Sequence, residues 1–510
     1  MRLTRSAGSL STSEMACNPR IDGLFLIKAP VWCGTETSAH LILSGPCSRR
    51  SMAPHQDVES LSQRGVRQIA ITWVNHAGET LVKAVPIRQL HHAIDNGVGF
   101  SPVSDAFRTD GVIEPHHRLA RPDGDLRLKA DPDSVALLDP STGWAWAAGV
   151  RWDRDRGPYA ADQRHFCRRM GRHLEKAGLT MTAGFELEWV VLTPDDSGAP
   201  QPIISGGPYG ADRLIEGLDY ASALLRALDE ADLPWIQFHP EYGPSQFELS
   251  FSPDSPLRVA DCLIRARLLI QRVTRQFNWF CSFSAKPRLD WVGNGGHLHF
   301  SVSDRQGPLL QGGNGIACLR KEGEALIAGL LQRLPALIAL ASPSPVSYLR
   351  LRPSTWSAPY QVWGVENREA ALRLIPTALD HCAAHLEIKA VDPTTNPYLL
   401  LGALQALVID AVTHPNPLPE PVVGDPASLK APPPRLPANL SDASTALAED
   451  DVLQTAMGDL LHGSLLDSFA GEIQRVEDLP PEEQVAKSCW WPLVGGIVAD
   501  HRTGSRAFDR

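Results

Sequence analysis

Four short segments, far apart in the chain, alternate apolar residues with acidic or imidazole side chains. They are GFELEWVVL from Gly184, PSQFELSF from Pro244, GGHLHFSV from Gly295 and HLEIKAVD from His385. Successive side chains of a β-strand point to opposite faces. The pattern therefore predicts four strands of an antiparallel sheet, with one face on the core and the other forming the wall of a site.

The polar positions of the four segments carry an unusual set of side chains. They are Glu186, Glu188, Gln246, Glu248, Ser250, His297, His299, Ser301, His385, Glu387 and Lys389. Clustered carboxylates repel and raise each other's pKa unless a cation lies among them. Mostly oxygen ligands with one or two imidazoles suit Mg²⁺ or Mn²⁺, so we expect a site for hard divalent ions. The alternative is a merely solvated face.

Other patterns predict the elements around this sheet. The run Arg67–Ile87 is typical of a β-hairpin with a His-Ala-Gly turn. Helices are predicted over 160–178, from Ser255 and Pro256 to Phe277, from Asn396 and Pro397 to Val412, and over 441–477, with a Pro-rich loop at 415–437. The sequence has no GxxxxGK[ST] motif and no GxGxxG after a strand, which excludes a P-loop or a Rossmann site for ATP.

Composition narrows the class of protein. With 510 residues, 43% hydrophobic and 21% charged, the chain can fill two or more domains. A net charge of −10 gives no reason to expect nucleic acid or an anionic membrane as a partner. No apolar run reaches the roughly 20 residues of a membrane span. Nine cysteines without CxxC pairs favour a reducing, cytoplasmic location.

The first part of the chain differs from the rest. Residues 1–52 are rich in Ser and Arg and lack periodicity. We interpret them as a poorly ordered extension, with Met52 as an alternative initiator.

Cationic and further acidic residues accompany the four strands. His239 and Glu241 precede the second strand, and Arg350, Arg352, Arg368 and Arg373 lie in one segment with Trp356, Tyr360 and Trp363. Arginine is favoured where carboxylate or phosphate is gripped by two hydrogen bonds. Together with metal-binding acids, this set indicates a nucleoside triphosphate and a carboxylate substrate.

The order of these motifs resembles the glutamine synthetase family over about residues 65 to 510. The resemblance rests on five motifs: GFELE, HPEYGPSQFE, GNGGHLHFS, SYLRL…WGVENREAALR and LEIKAVDPTTNPYL. It implies an α+β fold, with a β-grasp domain at 53–148 and a large catalytic domain at 149–510 whose antiparallel sheet lines the active site. It also implies a ring-shaped homo-oligomer with active sites between subunits. ATP would convert L-glutamate to γ-glutamyl phosphate, which an amine then attacks.

The resemblance implies a role for each matching residue. One metal ion would be held by Glu188, Glu241 and Glu248, and the other by Glu186, His297 and Glu387. His299 and Ser301 would contact ATP, Arg368 and Arg373 would neutralise the transferred phosphoryl group, and Gly293, Arg350, Lys389 and Trp356 would bind substrate. Lys389 replaces an arginine of the family pattern, and Val292 an asparagine.

The pocket for the nucleophile departs from the family pattern. Trp356 and Ser357 stand before Ala358, and Ser101 follows Phe100, where ammonia-using members carry acids. Those acids attract ammonium and take its proton, so their absence predicts a larger amine. An aromatic amine is favoured because it is largely neutral at pH 7. An alkylamine needs another base, and polyamines fit less well because a distant ammonium requires a carboxylate. Glu366, Asp105 and Asp110 are candidates for a substitute acid.

Three rival hypotheses remain at this point. The chain is a glutamine synthetase that uses ammonia, a catalytically silent relative with a binding or structural role, or a zinc hydrolase built on His297 and His299. Filled metal-ligand positions argue against the silent relative. A zinc hydrolase lacks a further tight ligand and leaves the arginines unexplained.

Overall fold

The computed structural model describes residues 54–154, 157–376 and 384–493. These residues belong to one compact unit. The predicted extension at 1–52 lies outside the described residues.

Strands supply two sheets. In chain order they are β1 Gln68–Val74, β2 Thr80–Pro86, β3 Val98–Phe100, β4 Leu126–Ala130, β5 Ala136–Asp139, β6 Trp144–Asp153, β7 Gly157–Pro158, β8 Thr180–Pro194, β9 Pro200–Pro202, β10 Trp235–Pro240, β11 Gln246–Phe251, β12 Phe280–Ser282, β13 Leu298–Asp304, β14 Gly307–Pro308, β15 Tyr360–Val365, β16 Ala370–Ile375 and β17 His385–Ile388.

Helices surround the sheets. They are α1 Pro54–Gln63, α2 Leu90–Asp95, α3 Gln163–Lys176, α4 Ala211–Glu216, α5 Leu218–Glu230, α6 Pro256–Gln276, α7 Lys321–Ala341, α8 Ser347–Arg350, α9 Pro397–Thr413, α10 Leu440–Glu449, α11 Asp451–Met457, α12 Asp459–Val476 and α13 Pro481–Ser488.

The first sheet has the order β2-β1-β6-β4-β3, with β5 and β7 also paired to β6. The predicted hairpin is confirmed, since β1 and β2 pair antiparallel. At the centre β1 and β6 run parallel, and α2 packs with β4 and β2. Strand β6 continues to Asp153, five residues beyond the predicted domain boundary at 148. The boundary itself stays a prediction.

The second sheet has the order β10-β11-β8-β13-β17-β16-β15. The four acidic segments form β11, β8, β13 and β17, which are consecutive neighbours and pair antiparallel throughout. Their apolar residues enter the main core, where Phe185, Leu187, Phe247, Leu298 and Leu386 are almost fully buried. The expected antiparallel sheet is thus present, with its apolar face on the core and its polar face forming the wall of the site.

Three predicted helices are confirmed, but the expected side-chain N-cap at Ser255 and the single helix over 441–477 are wrong. Helices α3, α6 and α9 begin within three residues of their predicted starts. The hydroxyl of Ser255 does not cap α6, whereas the side chain of Asn396 does cap α9. The single helix predicted over 441–477 is three helices, because Asp450 caps a new helix and Gly458 adopts a φ of 78°.

One described helix, α7, is long and apolar enough by length and composition to cross a membrane. Its most apolar window is 72% buried, and it packs against α9 and α10. Burial of this kind is typical of a core helix in a globular protein.

Candidate active site

The sheet register brings the acidic and imidazole side chains into one wall. Glu188 lies opposite Glu248, and Glu186 opposite Ser250, on β8 and β11. On the other side of β8, His299 of β13 lies opposite Glu387 of β17. Residues that are up to 201 positions apart therefore converge because each strand alternates apolar and polar side chains.

One group of ligand atoms surrounds Glu186 and Glu387. The Nδ1 atom of His297 lies 3.1 Å from Glu186 Oε2 and 3.7 Å from Glu387 Oε1. The Nε2 atom of His299 lies 3.3 Å from Glu186 Oε1 and 4.0 Å from Glu387 Oε1. The set Glu186, His297 and Glu387 predicted for one metal ion is thus brought together, and His299 joins it.

A second group surrounds Glu248. Ligand atoms of His239, Glu241 and Glu248 lie within 4.8 Å of one another, and Glu248 also groups with Glu186 and His297. His239 Nε2 is 3.1 Å from Glu241 Oε1. His239 was not among the predicted ligands, although its spacing of two residues from Glu241 on the sequence gave the signal.

Among the described residues, Glu188, which was predicted to share a metal ion with Glu241 and Glu248, is not in these groups of ligand atoms. Its Oε2 accepts hydrogen bonds from the amide of Gly295, at 2.8 Å, and from Gln246 Nε2, at 2.9 Å. A Cβ at position 295 would come within 2.8 Å of Glu188 Oε1 and 2.6 Å of His297 Nε2. Only glycine therefore leaves room for these two groups to approach.

The crowding of carboxylates changes their protonation. Burial, together with the nearby charges of Glu186, Glu188 and Glu241, raises the pKa of Glu248 to about 10. Burial opposes ionisation of Glu186, yet hydrogen bonds from His297 and His299 hold its pKa below the usual range. A divalent cation relieves such repulsion, so the donor set of carboxylates and imidazoles fits Mg²⁺ or Mn²⁺.

Cations line the same wall. Arg373 Nη1 lies 3.0 Å from Glu387 Oε2, and Lys389 Nζ lies 3.1 Å from Glu387 Oε1. Arg350 is buried, and its Nη2 lies 3.4 Å from His297 Nε2, while its Nη1 has no hydrogen-bond partner in the described part of the chain. An unpaired buried donor of this kind is a place for an anionic substrate group.

Other predicted site residues lie farther out. Arg368 is exposed, and Trp356 is 64% exposed on the segment before β15. Ser301 shares a hydrogen bond of 2.8 Å with Thr182. Gly293 packs on Arg350, since a Cβ there would lie 2.7 Å from Arg350 Cγ.

Two candidate substitute acids are engaged elsewhere. Asp105 is fully buried, and although burial opposes its ionisation, Arg151 and His76 hold its pKa at about 2. Asp110 pairs with Arg108 at 3.0 Å. Neither carboxylate is free to receive an amine in this chain.

Comparison with known proteins explains the convergence. Residues 160–487 match the family described as "Glutamine synthetase, catalytic domain". The chain belongs to the glutamine synthetase family. Gamma-glutamylpolyamine synthetase GlnA3 of Streptomyces coelicolor is 40% identical over 441 residues, which cover 84% of this chain and 94% of that protein. The glutamine synthetase of Thermotoga maritima is 30% identical over 371 residues, covering 70% and 83%.

Solved structures give the same fold. A protein described as a novel glutamine synthase homolog superimposes with a TM-score of 0.74 at 27% identity, covering 83% of this chain and 98% of that one. The ADP complex of GmaS superimposes with a TM-score of 0.73 at 24% identity, covering 84% and 98%. The predicted α+β fold of the glutamine synthetase type is therefore confirmed.

Membership of the family also settles the class of reaction. The chain is an ATP-dependent ligase, as predicted. Members of this family use ATP, divalent metal ions and glutamate with ammonia or an amine, and they are typically oligomeric.

Proposed function

We propose that the protein joins the γ-carboxylate of L-glutamate to an amine larger than ammonia and cleaves ATP to ADP and phosphate. The observation that carries the proposal is the single wall on which Glu186, Glu248, Glu387 and two imidazoles meet Arg373 and Lys389. Acids that hold cations beside fixed positive charges suit transfer of a phosphoryl group to a carboxylate.

The chemistry has two steps. The γ-carboxylate of glutamate takes the terminal phosphoryl group of ATP and becomes γ-glutamyl phosphate. The amine nitrogen then attacks the γ-carbonyl carbon. The new C–N bond forms as the C–O bond to phosphate breaks, phosphate leaves, and the nitrogen loses a proton.

We assign a different role in this reaction to each group of residues in and around the wall. Two divalent ions, held by the groups around Glu186 and around Glu248, would neutralise phosphate charge. We assign Arg373, and with it Arg368, to the transferred phosphoryl group. We assign His299 and Ser301 to ATP. Arg350, whose Nη1 has no partner among the described residues, and Gly293 are assigned to glutamate, and Lys389 keeps positive charge beside Glu387.

The amine pocket favours a nucleophile other than ammonia. Trp356 and Ser357 precede Ala358, so the segment brings no acid of its own to take a proton from ammonium. Trp356 favours the aromatic or alkyl amine predicted from the sequence. The name of the relative at 40% identity, a gamma-glutamylpolyamine synthetase, favours a cationic amine instead.

The direct test is amine-dependent release of ADP. The full-length protein is incubated with Mg²⁺, ATP and glutamate, and with ammonia, aniline, isopropylamine, ethanolamine or 1,4-diaminobutane in turn. We expect at least one larger amine to exceed ammonia in kcat/KM, with the γ-glutamyl amide detected by mass spectrometry.

Two outcomes would contradict the proposal. A decisive preference for ammonia would make the protein a glutamine synthetase. Absence of ADP release with every amine, in protein that binds Mn²⁺ and ATP, would favour the silent relative. The ring-shaped assembly with shared active sites and the cytoplasmic location are further proposals, and sedimentation of the purified protein tests the first.

A further inference from the structure

A buried carboxylate lies beneath the segment that precedes β15. We call residues 352–359 the flap. Glu369 is 7% exposed, and its Oε1 accepts a hydrogen bond of 2.5 Å from the amide of Trp356 in the flap. The amide of Ala358 also interacts with this carboxylate. Its second oxygen, Oε2, is buried and has no hydrogen-bond partner among the residues that the structure describes.

The flap is held in a defined conformation around this group. Ser354, Trp356 and Ala358 all adopt φ values of 57° to 59°, which side chains other than glycine rarely take. The Ser354 hydroxyl donates to Asp425 at 2.8 Å, and the amide of Arg352 donates to the Ser357 hydroxyl at 2.9 Å. The carboxylate of Glu369 is therefore positioned by the backbone of the flap.

Glu369 belongs to the same wall as the catalytic cations. It directly precedes β16, so Glu369, Ala371 and Arg373 share one face of the sheet. Arg373 lies opposite Glu387, and the amide of Lys389 donates to the carbonyl of Ala371 at 3.1 Å. The small side chain of Ala371 lies between Glu369 and Arg373 along this face.

A buried carboxylate oxygen without a partner is costly. Burial raises the pKa of Glu369, as does the charge of Asp425, while the flap amides and Lys389 act in the opposite direction. Lys389 is already bonded to Glu387. A cation brought by the substrate would supply the missing partner.

We propose that Glu369 Oε2 binds the second ammonium group of a diamine or polyamine substrate, an inference that rests on the proposed amine ligase function. The reacting amino group of such a substrate must lose a proton, whereas its other amino group stays charged and needs a carboxylate. Glu369 supplies that carboxylate next to the flap. The sequence disfavoured polyamines because their distant ammonium group requires a carboxylate, and Glu369 would be that carboxylate.

The test compares two amines of equal length. 1,4-Diaminobutane and 4-amino-1-butanol share the reacting end and differ in whether the far end is an ammonium or a hydroxyl. The measured quantity is the ratio of their kcat/KM values. We expect the native protein to favour the diamine and the variant Glu369→Gln to lower this ratio at least tenfold.

Glutamine is chosen because it preserves the flap. Its carbonyl oxygen still accepts the Trp356 amide, while its NH₂ group replaces the oxygen that would meet the ammonium. The control is Glu482→Gln, which removes an exposed acid of α13 that has no assigned role in the site and should leave the ratio unchanged.

Each result decides the assignment. An equal fall with both amines would show that Glu369 only supports the flap, and it would overturn the proposal. So would a native ratio near one, or a ratio that responds to Glu482→Gln and not to Glu369→Gln. Failure of the proposed function is a separate result, namely no turnover of the native protein with any amine larger than ammonia.

Discussion

At the scale of single residues, alternation along a strand was enough to predict the site. Glu186, Glu248, His297 and Glu387 were predicted from spacing alone, and the structure brings them together. Glu369 could not be predicted in this way, because its neighbours Arg368 and Ala370 give no alternating pattern and its burial depends on the fold of the flap. His239 carried a weaker signal, because the other residues of its strand, β10, include no acid or imidazole.

The first prediction concerns the ligand assignment. Glu186→Ala and Glu387→Ala should each abolish turnover, because each carboxylate contacts both His297 and His299. We expect Mn²⁺ binding, measured by calorimetry, to weaken at least tenfold in parallel. Glu482, an exposed acid of α13, provides the control, since Glu482→Ala should change neither quantity. Full activity of either ligand variant would refute its assignment.

The second prediction concerns a buried acid outside the site. Burial and the charges of Glu472 and Asp110 raise the pKa of Glu79, and a hydrogen bond from Asn75 lowers it. The net result is a pKa of about 7. The folded state thus binds this proton more tightly than the unfolded state does, so stability falls as pH rises from about 4.5 to 7. Glu79→Gln should stabilise the protein by roughly 1–3 kcal/mol at pH 8 and by much less at pH 5.

Chemical denaturation at the two pH values checks this expectation. Glu59→Gln is the control, because Glu59 is exposed on α1, and a surface change of this kind stays within about 0.5 kcal/mol. A stabilisation that is the same at pH 5 and pH 8 would show that the charge of Glu79 is not the cause.

At the scale of elements, local sequence signals predicted where a helix begins better than where it is interrupted. Asn396 and Pro397 gave the start of α9 correctly, since the Asn396 side chain accepts from the amides of Tyr398 and Leu399. The breaks within 441–477 were missed because the apolar spacing continues through Asp450 and Gly458. Helix α7 carries no comparable cap, so its existence depends on packing against α9 and α10.

The third prediction compares two caps. Asn396→Ala should cost more stability than the usual ~1 kcal/mol of a lost N-cap, because the Asn396 side chain is buried and also donates to the carbonyl of Asn75 at 3.2 Å. Asn439→Ala removes the matched but exposed cap of α10 and should cost about 1 kcal/mol. The two variants are compared by urea denaturation, and equal losses would contradict the extra role of Asn396.

At the scale of the whole molecule, side-chain contacts join segments on the two sides of the predicted domain boundary at 148. His76 and His117 share hydrogen bonds with Ser464 and Ser468 of α12, at 2.8 and 3.1 Å, and the fully buried Arg151 pairs with both Asp105 and Asp162. These pairs join residues up to 388 positions apart. No pattern within a short window of sequence contains that information.

The last prediction concerns metal ions and the stability of the whole chain. A ligand that binds only the folded state stabilises it by about 2.7 kcal/mol at a concentration one hundred times its Kd. Burial and the charges of neighbouring carboxylates together raise the pKa of Glu248 to about 10, and a divalent ion would relieve the repulsion between these carboxylates. Saturating Mn²⁺ should therefore raise Tm by several degrees, and EDTA should reverse the shift.

A variant separates the site from general ion effects. Glu248→Gln resembles the neutral form of this acid, so the Tm without metal should stay unchanged or rise, while the shift produced by Mn²⁺ should shrink. Glu482→Gln removes an exposed acid of α13 and should keep the full shift. If Mn²⁺ raises the Tm of Glu248→Gln as much as that of the native chain, the stabilising ion binds elsewhere, and the wall formed by β11, β8, β13 and β17 does not hold it.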